Sequence, residues 1–83
     1  MKLIYYIERI EIIHRLISHR NTGTPSELAN KIHLSTSRLS RIIEELRDMG
    51  APIKYDRQST TYYYEHPYEI SVVLTFGAKQ HVD

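Results

Sequence analysis

The stretch from Thr24 to Gly50, TPSELANKIHLSTSRLSRIIEELRDMG, carries two helix starts and one helix stop. Thr24, Pro25 and Glu27 make the first start: a hydroxyl at the N-cap, proline at the first helical position and a carboxylate three residues after the cap. In that capping box each side chain satisfies an otherwise unpaired backbone N–H. Leu28, Ala29 and Ile32 supply a buried side, and the pattern ends near His33. Ser35 opens a second helix almost at once, expected to run to Met49 and to stop at Gly50, with Pro52 just beyond. Only the tight turn His33-Leu34-Ser35 separates the two helices.

The flanking segments extend this pair. Leu3, Tyr6, Ile7, Ile10, Ile13 and Ile17 recur at three- and four-residue steps, which predicts a helix over about 3–18 with one wide apolar face. HRNTGT then breaks it, with Asn21 and Gly23 as turn residues. After Gly50 the period changes. PIKYDR and TTYYYEH are short and rich in β-branched and aromatic residues, and the polar QST between them makes a hairpin. YEISVVLTF then alternates, with Tyr68, Ile70, Val72, Leu74 and Phe76 on one side, as in a half-buried strand. The expected fold is α+β, mainly α: three helices, a β-hairpin and an additional C-terminal strand. Residues 1–66 form the domain, and 67–83 a strand and tail that belong to it or to a dimer interface.

On a helical wheel at roughly 100° per residue, Leu39, Ile42, Ile43, Leu46 and Met49 fill one arc of the third helix. Ser37, Ser40, Arg41 and Glu44 lie opposite, with Thr36 and Arg38 on the flanks. Short hydroxyls keep that surface low, so such a helix fits a major groove about 12 Å wide, where arginine reaches guanine or phosphate. Ser35 is first an N-cap, worth about 1 kcal/mol, and second a phosphate contact. A helix pair whose second member exposes this face is a helix-turn-helix, and a hairpin directly after it makes a winged one. Arg57, Gln58, Ser59, Thr60 and Thr61 are the expected wing tip, reaching backbone or minor groove. Arg20 and Lys31 are expected to hold phosphates. The charge distribution agrees: between His14 and Arg41 five basic residues face Glu27 alone, although the whole chain carries only +1.

SELANKIHLSTSRLSRIIEELRDMGAPIKYDRQSTTYYY resembles the N-terminal DNA-binding domain of bacterial DeoR-type and WYL-domain transcription regulators. The resemblance rests on the Leu-Ala pair at Leu28 and Ala29, the Ser/Thr-rich third helix with arginines, and the Ala51-Pro52-Ile53 connection into a wing ending in tyrosines. It covers about residues 5–65 and implies a winged helix-turn-helix that binds double-stranded DNA and regulates transcription. Three departures stand out. His33 occupies a turn position often held by glycine and is expected to take a positive φ. The wing tip has no glycine. No segment resembles the ligand-sensing domain of those regulators.

Other chemistries find little footing. The absence of cysteine excludes disulfides and thiolate metal sites. His14 and His19 are five residues apart, not the four that place two imidazoles on one helix face, so no metal is expected. No nucleophile elbow, glycine-rich phosphate loop or paired-carboxylate spacing appears, so the chain is not expected to be an enzyme and no cofactor is indicated. No apolar run approaches the ~18 residues of a membrane span, and the N-terminus lacks the pattern of a signal peptide. A cytoplasmic location is expected. Tyr5, Ile12 and Leu16 form a second apolar face on the first helix, which suggests a homodimer. Two alternatives remain. A protein-interaction module suits Glu44, Glu45 and Asp48, and a nucleic-acid processing accessory would use Tyr62, Tyr63 and Tyr64 to stack single strands.

Overall fold

A computed structural model describes residues 2–73 and Gly77. Three helices, α1 (Leu3–Ser18), α2 (Pro25–Lys31) and α3 (Thr36–Asp48), precede two strands, β1 (Ile53–Asp56) and β2 (Thr61–Tyr64). The strands pair antiparallel with Ile53 opposite Tyr64 and Asp56 opposite Thr61. This is the α+β winged helix-turn-helix architecture. The core draws on every element: Ile13 and Ile17 from α1, Leu28 and Ala29 from α2, Leu39, Ile42, Ile43 and Leu46 from α3, and Ile53 and Tyr62 from the hairpin.

The local signals act as expected at the helix starts. The Thr24 hydroxyl accepts from the Glu27 N–H at 3.1 Å while Glu27 Oε1 accepts from the Thr24 N–H at 2.8 Å. Gly23, at φ +76°, is required here, because a Cβ on it would lie 2.6 Å from that same Oε1.

All three helices stop the same way. The residue after each C-cap takes a positive φ, and the next amide reaches back to the carbonyl five residues earlier: Asn21 to Leu16 (2.9 Å), Leu34 to Ala29 (2.9 Å), Ala51 to Leu46 (3.0 Å). These are Schellman motifs. Glycine fills the left-handed position only at Gly50; Arg20 (φ +53°) and His33 (φ +58°) fill the other two. The expectation for His33 therefore holds. The helix ends differ slightly from expectation, α2 at Lys31 and α3 at Asp48, because these motifs close them earlier.

Three further expectations need correction. Residues 68–73 form no strand, because no neighbouring strand among the described residues offers them an edge; Tyr68 and Ile70 are half-buried against the core. Leu74 to Phe76, the rest of that expected strand, lie outside the described residues. Met49, placed on the buried arc, is 76% exposed because the helix has already ended before it. Thr61 is not at the wing tip; it belongs to β2 and is 2% exposed. The strand β2 packs on α1, with Tyr64 Oη 2.7 Å from His14 Nδ1. Ile12 and Leu16 are half-buried against the core of their own domain, so of the expected second face only Tyr5 is exposed.

No helix among the described residues is long and apolar enough to cross a membrane, and no group of three or more His, Asp or Glu among them is placed to hold a metal ion.

Candidate nucleic-acid interface

The third helix is held by both ends and by its buried stripe. Ser35 caps it, its hydroxyl accepting from the Arg38 N–H at 3.1 Å. Arg9 of α1 donates from Nε to the Ile32 carbonyl at 2.9 Å, fixing the turn that leads into it. At the far end Arg47 donates from Nε to the Ile53 carbonyl at 3.0 Å and joins α3 to the hairpin. With Leu39, Ile42, Ile43 and Leu46 buried, Thr36, Ser37, Arg38, Ser40 and Arg41 are all exposed on the outer side, together with the capping Ser35.

Two of the three acids of α3, Glu44 and Glu45, are engaged within the domain. Glu44 Oε2 pairs with Arg47 Nη1 at 2.8 Å, and Glu45 Oε1 accepts from the Tyr6 hydroxyl of α1 at 3.0 Å. Burial of Tyr6, followed by its bond to Glu45, pushes the phenol above its usual range, so it keeps its proton and remains a donor. By contrast, among the described residues the guanidinium groups of Arg38 and Arg41 have no hydrogen-bond or ion-pair partner. The helix thus presents hydroxyls and unpaired cations while its nearest carboxylates are satisfied elsewhere.

The wing tip solves its lack of glycine in two ways. The Asp56 carboxylate accepts from the Gln58 N–H (3.0 Å) and the Ser59 hydroxyl (2.6 Å), and Thr60 takes the left-handed conformation at φ +57°. Arg57, Gln58 and Ser59 are exposed at its apex and Thr60 is half-buried. The Ser59 hydroxyl and the Gln58 amide hold the Asp56 carboxyl below its usual range, and the Thr24 backbone and side chain do the same for Glu27. Depressed carboxylates stabilise the fold above the ordinary range near pH 4 and lose that contribution as pH falls through their folded values. We therefore expect the thermal midpoint to be flat from about pH 7 to 5 and to fall below about pH 4, with part of the fall removed in Asp56→Asn; melting curves across pH check this.

The two remaining expected contacts are held by other parts of the domain. Lys31 is exposed, yet its Nζ donates to the carbonyls of Asn21 (3.2 Å) and Thr22 (3.1 Å). Arg20 is exposed and its guanidinium lies 4.8 Å from the centre of the Tyr63 ring. The structure therefore gathers the expected residues into an α3 face, a wing apex, and a basic loop between α1 and α2 that touches β2.

Sequence reasoning missed the joint that fixes this loop. Thr22 is fully buried; its hydroxyl accepts from the Tyr62 N–H at 2.8 Å, and its own N–H donates to Thr61 Oγ1 at 3.1 Å. A threonine in the polar run HRNTGT carries no local sign of burial, so nothing in the sequence marked it.

No curated protein and no solved structure matches the chain. A family model described as an HTH domain matches residues 8–64, from within α1 to the last residue of the hairpin. That span covers more than half of the chain and takes in both helices of the motif and the wing, so the chain belongs to the helix-turn-helix domain family.

Proposed function

We propose that this protein binds double-stranded DNA in a sequence-specific manner and regulates transcription. In this reading α3 enters the major groove, where Ser37, Ser40 and Arg41, flanked by Thr36 and Arg38, meet base edges. Ser35, Arg20, Lys31 and the wing residues Arg57, Gln58, Ser59 and Thr60 meet phosphates and sugars. The observation that carries it is the sorting of charge on α3: its outward arginines are unpaired among the described residues, while Glu44 and Glu45 are bound within the domain. The DeoR-type and WYL-domain resemblance, which covers about residues 5–65, supports the same reading.

Dimerisation belongs to this proposal. Leu3, Ile4 and Tyr5 at the start of α1, with Met49 and Val73, leave apolar surface exposed, and a second copy covering it would pair two recognition helices on an approximately palindromic site.

Selection of bound duplexes from a random pool tests the assignment, and Arg41→Ala locates it. The variant is expected to bind the selected site about 1–3 kcal/mol more weakly and to relax specificity at one position. A pool yielding no enriched sequence, or an Arg41→Ala titration superimposable on the parent's, overturns it.

A further inference from the structure

The loop between α1 and α2 carries an arginine in a costly conformation. Arg20 ends the α1 Schellman motif at φ +53°, a position that glycine fills at the end of α3. The same loop is tied to the wing at Thr22, whose amide and hydroxyl bond to Thr61 and Tyr62. Lys31 closes it from α2 through the Asn21 and Thr22 carbonyls. The backbone carrying Arg20 is therefore fixed relative to β2.

The side chain is fixed as well. Its guanidinium carbon lies 4.8 Å from the centre of the Tyr63 ring, within the range of a cation–π contact. Tyr63 pairs across the hairpin with Lys54, which is exposed. The Arg20 charge also reaches the Asp56 carboxyl at the base of the wing tip and helps to lower it. Contact with an aromatic ring occupies the face of a guanidinium and leaves its five N–H donors at the edge. Among the described residues those donors have no acceptor. A guanidinium held over an aromatic ring with unfilled donors suits a planar fork on phosphate oxygens.

We propose that Tyr63 is a positioning residue for DNA binding: its ring holds Arg20 beside the wing so that the guanidinium grips a backbone phosphodiester. This rests on the proposed DNA-binding function. It assigns the half-buried middle tyrosine of the Tyr62-Tyr63-Tyr64 run to the arginine, not to an unpaired base.

Titrating a fluorescent duplex at several salt concentrations tests it, with melting curves confirming that each variant is folded. Arg20→Ala is expected to weaken binding to all duplexes several-fold and to reduce the salt slope by about 1, the signature of one lost phosphate. Tyr63→Leu is expected to lose several-fold in affinity, Tyr63→Phe to retain parental binding because the ring remains, and the double variant Arg20→Ala/Tyr63→Leu to bind no more weakly than Arg20→Ala alone. Parental binding by Tyr63→Leu, or losses that add in the double variant, would overturn the positioning role. If Arg41→Ala loses binding while Arg20→Ala does not, the Arg20 clamp fails and the DNA-binding reading stands. If the parent retains no duplex at any salt, both fail together.

Discussion

Leu39→Ala is expected to cost about 2–5 kcal/mol of folding stability, the range for removing a fully buried leucine from a packed core. Leu39 is 0% exposed and stands at the start of the α3 stripe, where it meets the core shared by α1, α2 and the hairpin. An 83-residue domain without disulfides sits toward the low end of the usual ~5–15 kcal/mol, so the loss is a large part of the whole. The melting temperature should fall by at least roughly 10 °C. Ser40→Ala, one residue on and exposed, is expected to change stability by less than about 0.5 kcal/mol. The pair of measurements reads out which side of α3 is inside. Equal effects would mean that the helix is rotated from the face assigned here.

The second large effect lies at a residue with no local sign of burial. Thr22→Val keeps the shape of the side chain but removes the acceptor of the Tyr62 N–H (2.8 Å) and the donor to the Gly23 carbonyl (2.9 Å). Thr22 is 0% exposed and Tyr62 7%, so the orphaned amide finds no water, and a cost of about 1–3 kcal/mol follows. Thr61→Val is expected to act similarly, because it deprives the buried Thr22 N–H of its acceptor. The two losses should be less than additive in the double variant, since both hydroxyls, 3.1 Å apart, serve one joint. Additive losses in chemical denaturation would show that the two threonines act independently.

Much of the fold is legible because its signals are local. The capping box at Thr24, the serine cap at Ser35 and the glycine stop at Gly50 each depend on residues within one turn, and the structure realises all three. The α3 face is legible for the same reason: a helical period sorts Leu39, Ile42, Ile43 and Leu46 from Ser37, Ser40 and Arg41 without reference to the rest of the chain. His33 could be assigned a left-handed turn because it occupies the position that glycine often holds in the regulators this segment resembles, and a positive φ is tolerated by histidine better than by most residues.

The errors occur where a partner distant in sequence decides. Alternation from Tyr68 onward matches the burial, with Tyr68 and Ile70 half-buried and Glu69 and Ser71 exposed, but not the expected strand. Alternation cannot say whether another strand lies alongside, and over 68–73 none does. Tyr62, Tyr63 and Tyr64 look equivalent, yet the pleat and the neighbouring elements give them three environments. Tyr62 enters the core, and Tyr63 lies beneath Arg20. Tyr64 meets His14, where burial, followed by the nearby Tyr68 and Glu69, pushes its phenol up to about 12. The apolar second face of α1 is likewise largely spent inside the domain, so exposed apolar surface is found instead around Leu3, Ile4 and Met49.

The central claim is that the outward side of α3, with the wing, is the surface that meets DNA. Amide chemical shifts of the labelled protein, followed as a selected duplex is added, test this residue by residue. The largest changes are expected at residues 35–41 and 57–60, with smaller ones near Arg20 and Tyr63 and little change along an apolar groove on the other side of the domain, lined by Leu3, Ile7, Ile10 and Ile70. Changes concentrated in that groove, with Ser37, Ser40 and Arg41 unmoved, would contradict it.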